Sequence, residues 1–298
     1  MQAVSTHPLA GKLLQNEPMS KHTSWRVGGL ADQLYIPVDL ADLRAFLQQV
    51  GDQQPIHFVG LGSNLLVRDG GIRATVVSMH NVLTDMHVEG DLIYAESGVT
   101  CGKLAKFCAK QSRQGAEFFA GIPGTLGGAL AMNAGCYGWE TWDAVDSVIT
   151  VNRHGELHKR SAKEFVASYR HISMPVQGEW FVAAWLKFET GDAEVAAQKI
   201  KDLLASRLAS QPLNLPSAGS TFRNPEGDYA ARLIEACGLK GYLIGGAQVS
   251  EKHANFIVNI GGATALDIEL LIKHMHDTVL EQFGVALQQE VKVIGDYV

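Results

Sequence analysis

Residues 121–138 read GIPGTLGGALAMNAGCYG, a run of small and mostly apolar residues with glycine at short intervals. Glycines expose main-chain N–H groups and allow a flat ligand to lie directly against the backbone. The same composition also suits a strand, a turn and a helix that pack together at close range. The run alone leaves both interpretations open, and a second segment upstream favours the first.

That second segment is Gly60-Leu61-Gly62-Ser63-Asn64, which follows a short apolar strand predicted at residues 56–59. Consecutive N–H groups in such a turn can converge on phosphate oxygens. It does not open a helix as a dinucleotide-binding fingerprint would, because residues 65–67 favour an extended chain. Together the two glycine-rich segments favour a ligand that carries both a pyrophosphate and a large planar ring.

Strands and helices alternate around these segments. Strands are predicted at residues 33–38, 56–59, 74–79, 92–96, 180–188, 255–260 and 285–294, with a hairpin at residues 145–160. Helical periodicity, caps and stop signals predict helices at residues 39–50, 102–114, 193–209, 228–237 and 266–282. A change of composition at Gly191-Asp192 places the main domain boundary near residue 191.

Length and composition bound the class of protein. The chain has 298 residues, 46% of them apolar and 19% charged, which indicates a folded protein of two or three lobes. A net charge of -6 and the lack of a basic run argue against a nucleic-acid surface. The sequence shows no signal-peptide core and no apolar segment of membrane-spanning length, so a cytoplasmic protein without membrane attachment is expected.

The cysteines are Cys101, Cys108, Cys136 and Cys237, and none has the spacing of a zinc site. We therefore expect reduced thiols and no metal.

Residues 217–225, SAGSTFRNP, place Ser220 in a turn that contains glycine. Pro212 and Pro216 prevent the preceding helix from continuing into this segment. A hydroxyl in such a turn can approach a ligand that a bulkier backbone would keep away. A tight Ser/Gly loop without a ligand would explain the same residues.

Two charged residues, like Ser220, have both a functional and a purely structural interpretation. Arg170 is either an ordinary surface arginine or a clamp on a carboxylate, for which the planar guanidinium is suited. Strand alternation would place Glu290 on one face with Lys292 and Ile294. Glu290 is then either part of a solvated strand face or a partner of Ser220 in the same lobe.

As an ordered set, these segments resemble the UDP-N-acetylenolpyruvoylglucosamine reductase family of flavoenzymes from about Asn16 to Val298. The resemblance rests on residues 22–29 (HTSWRVGG), 60–66, 121–138, 168–170 (SYR), 218–225 and 290–295 (EVKVIG). It implies that NADPH reduces a bound FAD and that reduced flavin N5 delivers hydride to UDP-N-acetylglucosamine enolpyruvate. The product would be UDP-N-acetylmuramate, a precursor of peptidoglycan.

The resemblance also implies an α+β fold. It consists of an FAD-binding module of the vanillyl-alcohol oxidase/p-cresol methylhydroxylase type, with lobes at residues 1–78 and 79–190 that hold FAD between them. An α+β substrate-binding domain follows at residues 191–298, and its last strand either stays there or returns to the first lobe. A monomer is expected.

The family's functional residues carry over onto matching positions of this chain. Ser220 resembles the proton donor, with Arg170 and Glu290 as its partners around the substrate carboxylate. Tyr137, Arg223 and Asn224 match positions on the substrate side. The FAD contacts implied are Gly60, Leu61, Gly62, Ser63, Asn64, Leu65, Gly121, Ile122, Pro123, Gly124, Gly127, Gly128, Asn133 and Gly135.

One branch of the family has an extra loop, bearing a tyrosine, after the Tyr-Arg motif. Here Trp180 follows Arg170 too closely for that insertion, so the chain is similar to the shorter branch. A related FAD-dependent oxidase is the main alternative, although neither glycine-rich segment contains the histidine through which many such oxidases hold FAD. A non-catalytic binding protein would leave Arg170, Ser220 and Glu290 unexplained.

Overall fold

The structure, a computed structural model, describes residues 8–50 and 54–298. Predictions that fall on residues 1–7 and 51–53 lie outside the described residues. The helices are α1 (Leu40–Val50), α2 (Cys101–Lys110), α3 (Leu126–Met132), α4 (Ala193–Ser210), α5 (Ala230–Ala236) and α6 (Ala265–Phe283).

The strands in the first half are β1 (Lys12–Pro18), β2 (Leu30–Ile36), β3 (Ile56–Val59), β4 (Leu65–Val67), β5 (Ile72–Ser78), β6 (Met86–Glu89), β7 (Leu92–Glu96), β8 (Arg113–Gln114), β9 (Gly135–Cys136), β10 (Trp139–Glu140) and β11 (Val145–Asn152). Those in the second half are β12 (Leu157–Ser161), β13 (Val166–Ser168), β14 (His171–Ser173), β15 (Glu179–Lys187), β16 (Glu189–Thr190), β17 (Leu243–Ile244), β18 (Ala247–Val249), β19 (Ile257–Asn259) and β20 (Lys292–Ile294). The expected α+β class is confirmed. No helix within residues 8–50 and 54–298 is long and apolar enough to cross a membrane.

The chain divides into two compact units. Of the described residues, unit 1 comprises 8–14, 33–50, 54–61 and 74–205, and unit 2 comprises 15–32, 62–73 and 206–298. The division at residues 78, 190 and 191 into three lobes stays a prediction.

Unit 1 is built on a five-stranded sheet with the order β12-β11-β15-β7-β6, in which the paired strands are antiparallel. Its core holds Phe118, Phe119, Leu126 and Leu130. Buried Trp142 fixes the end of the glycine-rich run by donating from Nε1 to the Leu130 carbonyl at 2.8 Å. The run thus packs on the sheet instead of lying free on the surface.

Unit 2 is organised around α6, which packs with α5 and with the three-stranded sheet β17-β18-β19. Thr264 and Asp267 form a capping box at its start. The Asp69 carboxylate also accepts from the N–H groups of Ala265 and Leu266, both at 2.9 Å. Gly284, in the left-handed conformation, ends the helix.

Several predicted elements are shorter in the structure, among them the strand predicted at residues 255–260 and the helix predicted at residues 228–237. Two further differences have a clear physical reason. The helix predicted at residues 102–114 ends at Lys110, because Ser112 takes a left-handed φ of 51° and turns the chain away. The strand predicted at residues 285–294 is reduced to β20. Glu290 and Val291 are both buried although they are neighbours, so the alternation expected of a half-buried strand fails there.

A buried ion pair ties β12 to β15. Glu179 accepts from Arg160 Nε at 2.7 Å and Nη2 at 2.5 Å, and from Thr150 Oγ1 at 2.6 Å. The bonds from Arg160, with help from Thr150, hold the pKa of Glu179 below its usual value. A lowered carboxyl pKa stabilises the fold above the pKa of the unfolded chain, and that stabilisation is lost as pH falls through the folded pKa.

We predict that Glu179→Gln lowers the free energy of unfolding by about 2 kcal/mol at pH 7, and by clearly less near pH 3.5. Urea unfolding at both pH values measures the difference. The matched control is Glu156→Gln, because Glu156 is exposed and its carboxylate accepts from Asn152 Nδ2. An equal loss at the two pH values would show that the carboxylate charge does not contribute.

Candidate active site and cofactor-binding segments

In unit 2 the segments that carry Ser220 and Glu290 are paired through their backbones. The N–H of Glu290 donates to the Thr221 carbonyl at 2.9 Å, and the N–H of Arg223 donates to the Gln288 carbonyl at 2.8 Å. Phe222 and Gln289 form an antiparallel bridge between these two bonds. The structure therefore brings together two of the three residues predicted to be catalytic, 70 positions apart in the sequence.

Glu290 is buried, with 9% of its surface exposed, which excludes the interpretation as a solvated strand face. Asn64 holds the same segment from the other end of the chain. Its Nδ2 donates to the Glu290 carbonyl at 3.2 Å, and its own carbonyl accepts from the N–H of Lys292 at 3.0 Å. The last strand, β20, then runs parallel to β4 with Lys292 opposite Leu65.

Ser220 follows Gly219, which has a φ of +75° and nothing near the position of a side chain. The next residue, Thr221, is fully buried. Beyond it, Arg223 is half-buried and Asn224 is exposed. The Asn224 side-chain oxygen accepts from the N–H of Ala230 at 3.1 Å, so this residue also caps α5.

Sequence reasoning missed Asn255. Its side chain is buried and bonds to both backbone groups of Phe222. In the sequence, Asn255 is recognisable only as an asparagine two residues before a buried strand. That position does not predict a hydrogen-bond partner 33 residues earlier in the chain.

In unit 1 the two glycine-rich segments contact each other. A Cβ at Gly60 would overlap Thr125 Oγ1, and Thr125 is the residue that caps α3. A Cβ at Gly127 would lie 2.9 Å from Ser97 Cβ, and the Gly127 N–H donates to the Ser97 carbonyl at 2.8 Å. This juxtaposition supports the inference that the two segments serve one ligand.

Asn133 joins the end of the glycine-rich run to the Ser168-Tyr169-Arg170 segment. It takes a left-handed conformation after α3, and its Nδ2 donates to Glu140 Oε2 at 2.7 Å and to the Ser168 carbonyl at 3.1 Å. Arg170 follows at the turn between β13 and β14 with a φ of 56°. The run and the third residue predicted to be catalytic are thus tied through one amide.

Tyr137 lies beside the start of the same run. A Cβ at Gly121 would be 2.7 Å from a carbon of the Tyr137 ring, and the Tyr137 hydroxyl donates to the Leu203 carbonyl at 2.8 Å. The ring is 41% exposed, so it presents a face to solvent or to a ligand.

Comparisons with known proteins identify the family of the chain. Residues 211–294 match the family described as UDP-N-acetylenolpyruvoylglucosamine reductase, C-terminal domain, and residues 31–161 match the FAD binding domain. The reductase of that name from Alkalilimnicola ehrlichii is 54% identical over 296 residues, covering 99% of each chain. The one from Methylococcus capsulatus is 55% identical, covering 97% of this chain and 95% of the relative.

The chain belongs to the UDP-N-acetylenolpyruvoylglucosamine reductase family. A crystal structure of the reductase from Thermus caldophilus superimposes with a TM-score of 0.81 at 30% identity, covering 95% of this chain and 98% of that one. The expected FAD-binding module is confirmed by the matched domain. Membership of the reductase family also favours the reductase over the oxidase alternative.

Unit 1 fits a flavin nucleotide on two observations besides the family match. Gly60 and Gly127 lie so close to Thr125 and Ser97 that a side chain at either position would overlap them, which fixes the two glycine-rich segments together. Ser97 Oγ is buried without a hydrogen-bond partner among residues 8–50 and 54–298. A buried hydroxyl without a partner is costly, and a polar ligand group would satisfy it. Across the same described residues, no three His, Cys, Asp or Glu side chains gather as metal ligands would.

We predict that Gly60→Ala weakens FAD binding by about tenfold or more, because the new methyl group forces the loop away from Thr125. Fluorescence titration of the apoprotein with FAD measures the dissociation constant. Gly102→Ala is the control, since a Cβ there meets nothing within 4 Å and the residue lies in α2. Unchanged FAD affinity in Gly60→Ala would remove this loop from the cofactor site.

Proposed function

We propose that this protein reduces the enolpyruvyl double bond of UDP-N-acetylglucosamine enolpyruvate with NADPH as donor, giving UDP-N-acetylmuramate for peptidoglycan synthesis. Family membership along nearly the whole chain supports the reaction. The pairing of the Ser220 and Glu290 segments is the observation that carries the assignment of residues. A cytoplasmic monomer is the expected form.

When bound, FAD supplies the hydride chemistry, taking hydride from NADPH and passing it to the substrate. The glycine-rich segments at residues 60–65 and 121–135 would hold it through backbone N–H groups. Because the chain has a net charge of -6, these local donors have to bind the anionic pyrophosphate without a general positive field.

Ser220 is the proposed proton donor. Hydride addition at one vinyl carbon leaves negative charge on the neighbouring carbon and on the carboxylate. The O–H bond of Ser220 breaks as a C–H bond forms at that carbon, and the serine oxygen regains a proton from water afterwards. A serine hydroxyl is a weak acid, so the step depends on a strongly basic intermediate held next to it.

Arg170 and Glu290 are the proposed partners of Ser220 around the substrate carboxylate. A guanidinium can donate to both oxygens of a carboxylate and stabilise the charge that develops in the transition state. Glu290 would serve either as a protonated hydrogen-bond donor to the carboxylate or as an acceptor that orients another donor. Its backbone bonds to Thr221 and Asn64 support a fixed position for either role.

Tyr137, Arg223 and Asn224 are the proposed residues on the substrate side. Arg223 offers a cation for the diphosphate of the sugar nucleotide, and its backbone N–H is fixed by Gln288. The capping bond from Asn224 to Ala230 keeps its side chain close to the start of α5.

We predict that Ser220→Ala leaves reduction of the bound flavin by NADPH within about twofold of wild type and slows reoxidation by the enolpyruvyl substrate by about 10²-fold or more. Anaerobic stopped-flow absorbance measures the two half-reactions separately. Ser210→Ala, at the exposed end of α4, is the control and should change neither.

An equal loss in both half-reactions would refute the proton-donor role of Ser220. A wild-type protein whose flavin is reduced by NADPH and reoxidised only by oxygen would refute the proposed reaction itself.

A further inference from the structure

Asn255 replaces a missing strand on one side of the Ser220 segment. Its Oδ1 accepts from the Phe222 N–H at 3.0 Å, and its Nδ2 donates to the Phe222 carbonyl at 2.8 Å. Its own backbone carbonyl accepts from the Thr221 N–H at 2.8 Å. The residue is 3% exposed, so water does not compete for these groups.

The opposite side of the segment is already occupied by residues 288–290. There the Thr221 carbonyl and the Arg223 N–H bond to Glu290 and Gln288. The Phe222 N–H and carbonyl point the other way, as successive residues of a strand do. Without Asn255 both would be buried and unpaired, which is costly. The Asn255 amide pairs both groups of Phe222, because its oxygen accepts from the N–H and one of its N–H groups donates to the carbonyl.

Ser220 depends on this anchor because its other neighbour does not hold it. Gly219 has a φ of +75° and open space where a side chain would be. A glycine adopts this left-handed turn readily, and the turn separates Ser220 from the Ser217–Val258 bridge that precedes it. The position of the Ser220 hydroxyl relative to Glu290 is therefore set from the Thr221–Phe222 side.

We propose that Asn255 is a positioning residue for the Ser220 proton transfer, an inference that rests on the proposed function. Its amide holds Thr221 and Phe222 so that the hydroxyl one residue earlier stays in register with Glu290. Proton transfer is sensitive to small displacements of donor and acceptor, so loss of the clamp slows this step without affecting flavin reduction.

The test is Asn255→Asp in the FAD-loaded protein. An ionised carboxylate matches the amide in shape but faces the Phe222 carbonyl with a second acceptor. A protonated carboxyl again offers one donor and one acceptor. Burial favours the neutral form, which brings the titration into the working pH range.

We expect flavin reoxidation by substrate to be slowed about 10²-fold at pH 8.5, relative to wild type at the same pH. At pH 5.5, where the carboxyl gains its proton, the rate of reoxidation should be only about tenfold below that of wild type. Reduction by NADPH should match wild type throughout. A constant deficit across this pH range, or an equal slowing of both half-reactions, would overturn the proposal.

Other charged groups near the substitution are Lys252 and His253 on its own segment, and Arg223 and Glu290 on the facing segments. Burial holds the pKa of His253 below its usual value. All four are present in wild type and in the control, so the comparison at each pH separates their titration from that of the new carboxyl.

Asn259→Asp is the matched control. Asn259 also bonds to backbone groups through its amide, to the Trp25 carbonyl at 2.9 Å and from the Gly261 N–H at 2.9 Å. Its backbone N–H donates to the Pro216 carbonyl at 2.9 Å, a bond that the substitution of the side chain leaves in place. It should lower thermal stability comparably while the reoxidation rate stays within about twofold of wild type at both pH values. If it reproduces the pH-dependent deficit, Asn255 has only a structural role.

Asn255→Ser covers the case in which the aspartate variant does not fold. The hydroxyl can bond to only part of the Phe222 peptide and does not ionise, so reoxidation should be slowed at all pH values with normal reduction by NADPH. Unchanged reoxidation would overturn the proposal. Wild-type protein that fails to turn over the enolpyruvyl substrate would instead refute the proposed function.

Discussion

The backbone pairing between residues 221–223 and 288–290 is the contact on which the candidate site depends. It joins the segment of a serine that follows a glycine to the segment of a buried glutamate, although neither residue lies in a long strand. Two side-chain amides fix this pairing. Asn255 bonds to the backbone of Phe222, and Asn64 donates to the backbone carbonyl of Glu290. Side-chain amides thus supply the rigidity that a full sheet would give elsewhere.

In unit 1, too, polar side chains fix the distance between backbone segments, here around the glycine-rich run. Asn133 connects the glycine-rich run to the segment before Arg170, and Thr125 caps α3 while filling the space next to Gly60. Small residues let these backbones approach closely, and buried polar side chains fix their spacing. The result is a surface whose shape is determined before any ligand binds.

Local signals predicted much of this fold from the sequence. The helix predicted at residues 266–282 and the loop after β3 depend on neighbours a few residues away, and both predictions are correct. The early end of α2 was missed because the left-handed Ser112 has no sequence signature. The burial of Glu290 and the clamp by Asn255 were missed because their partners lie far away in the sequence, where periodicity carries no information.

The most direct test of the account is a crystal structure of the FAD-bound protein with UDP-N-acetylglucosamine enolpyruvate. The account predicts Ser220 Oγ within about 3.5 Å of the enolpyruvyl carbon that receives the proton, with the Glu290 carboxyl group beside the same end of the substrate. An enolpyruvyl group bound away from both residues, with residues 221–223 still paired to 288–290, would contradict it.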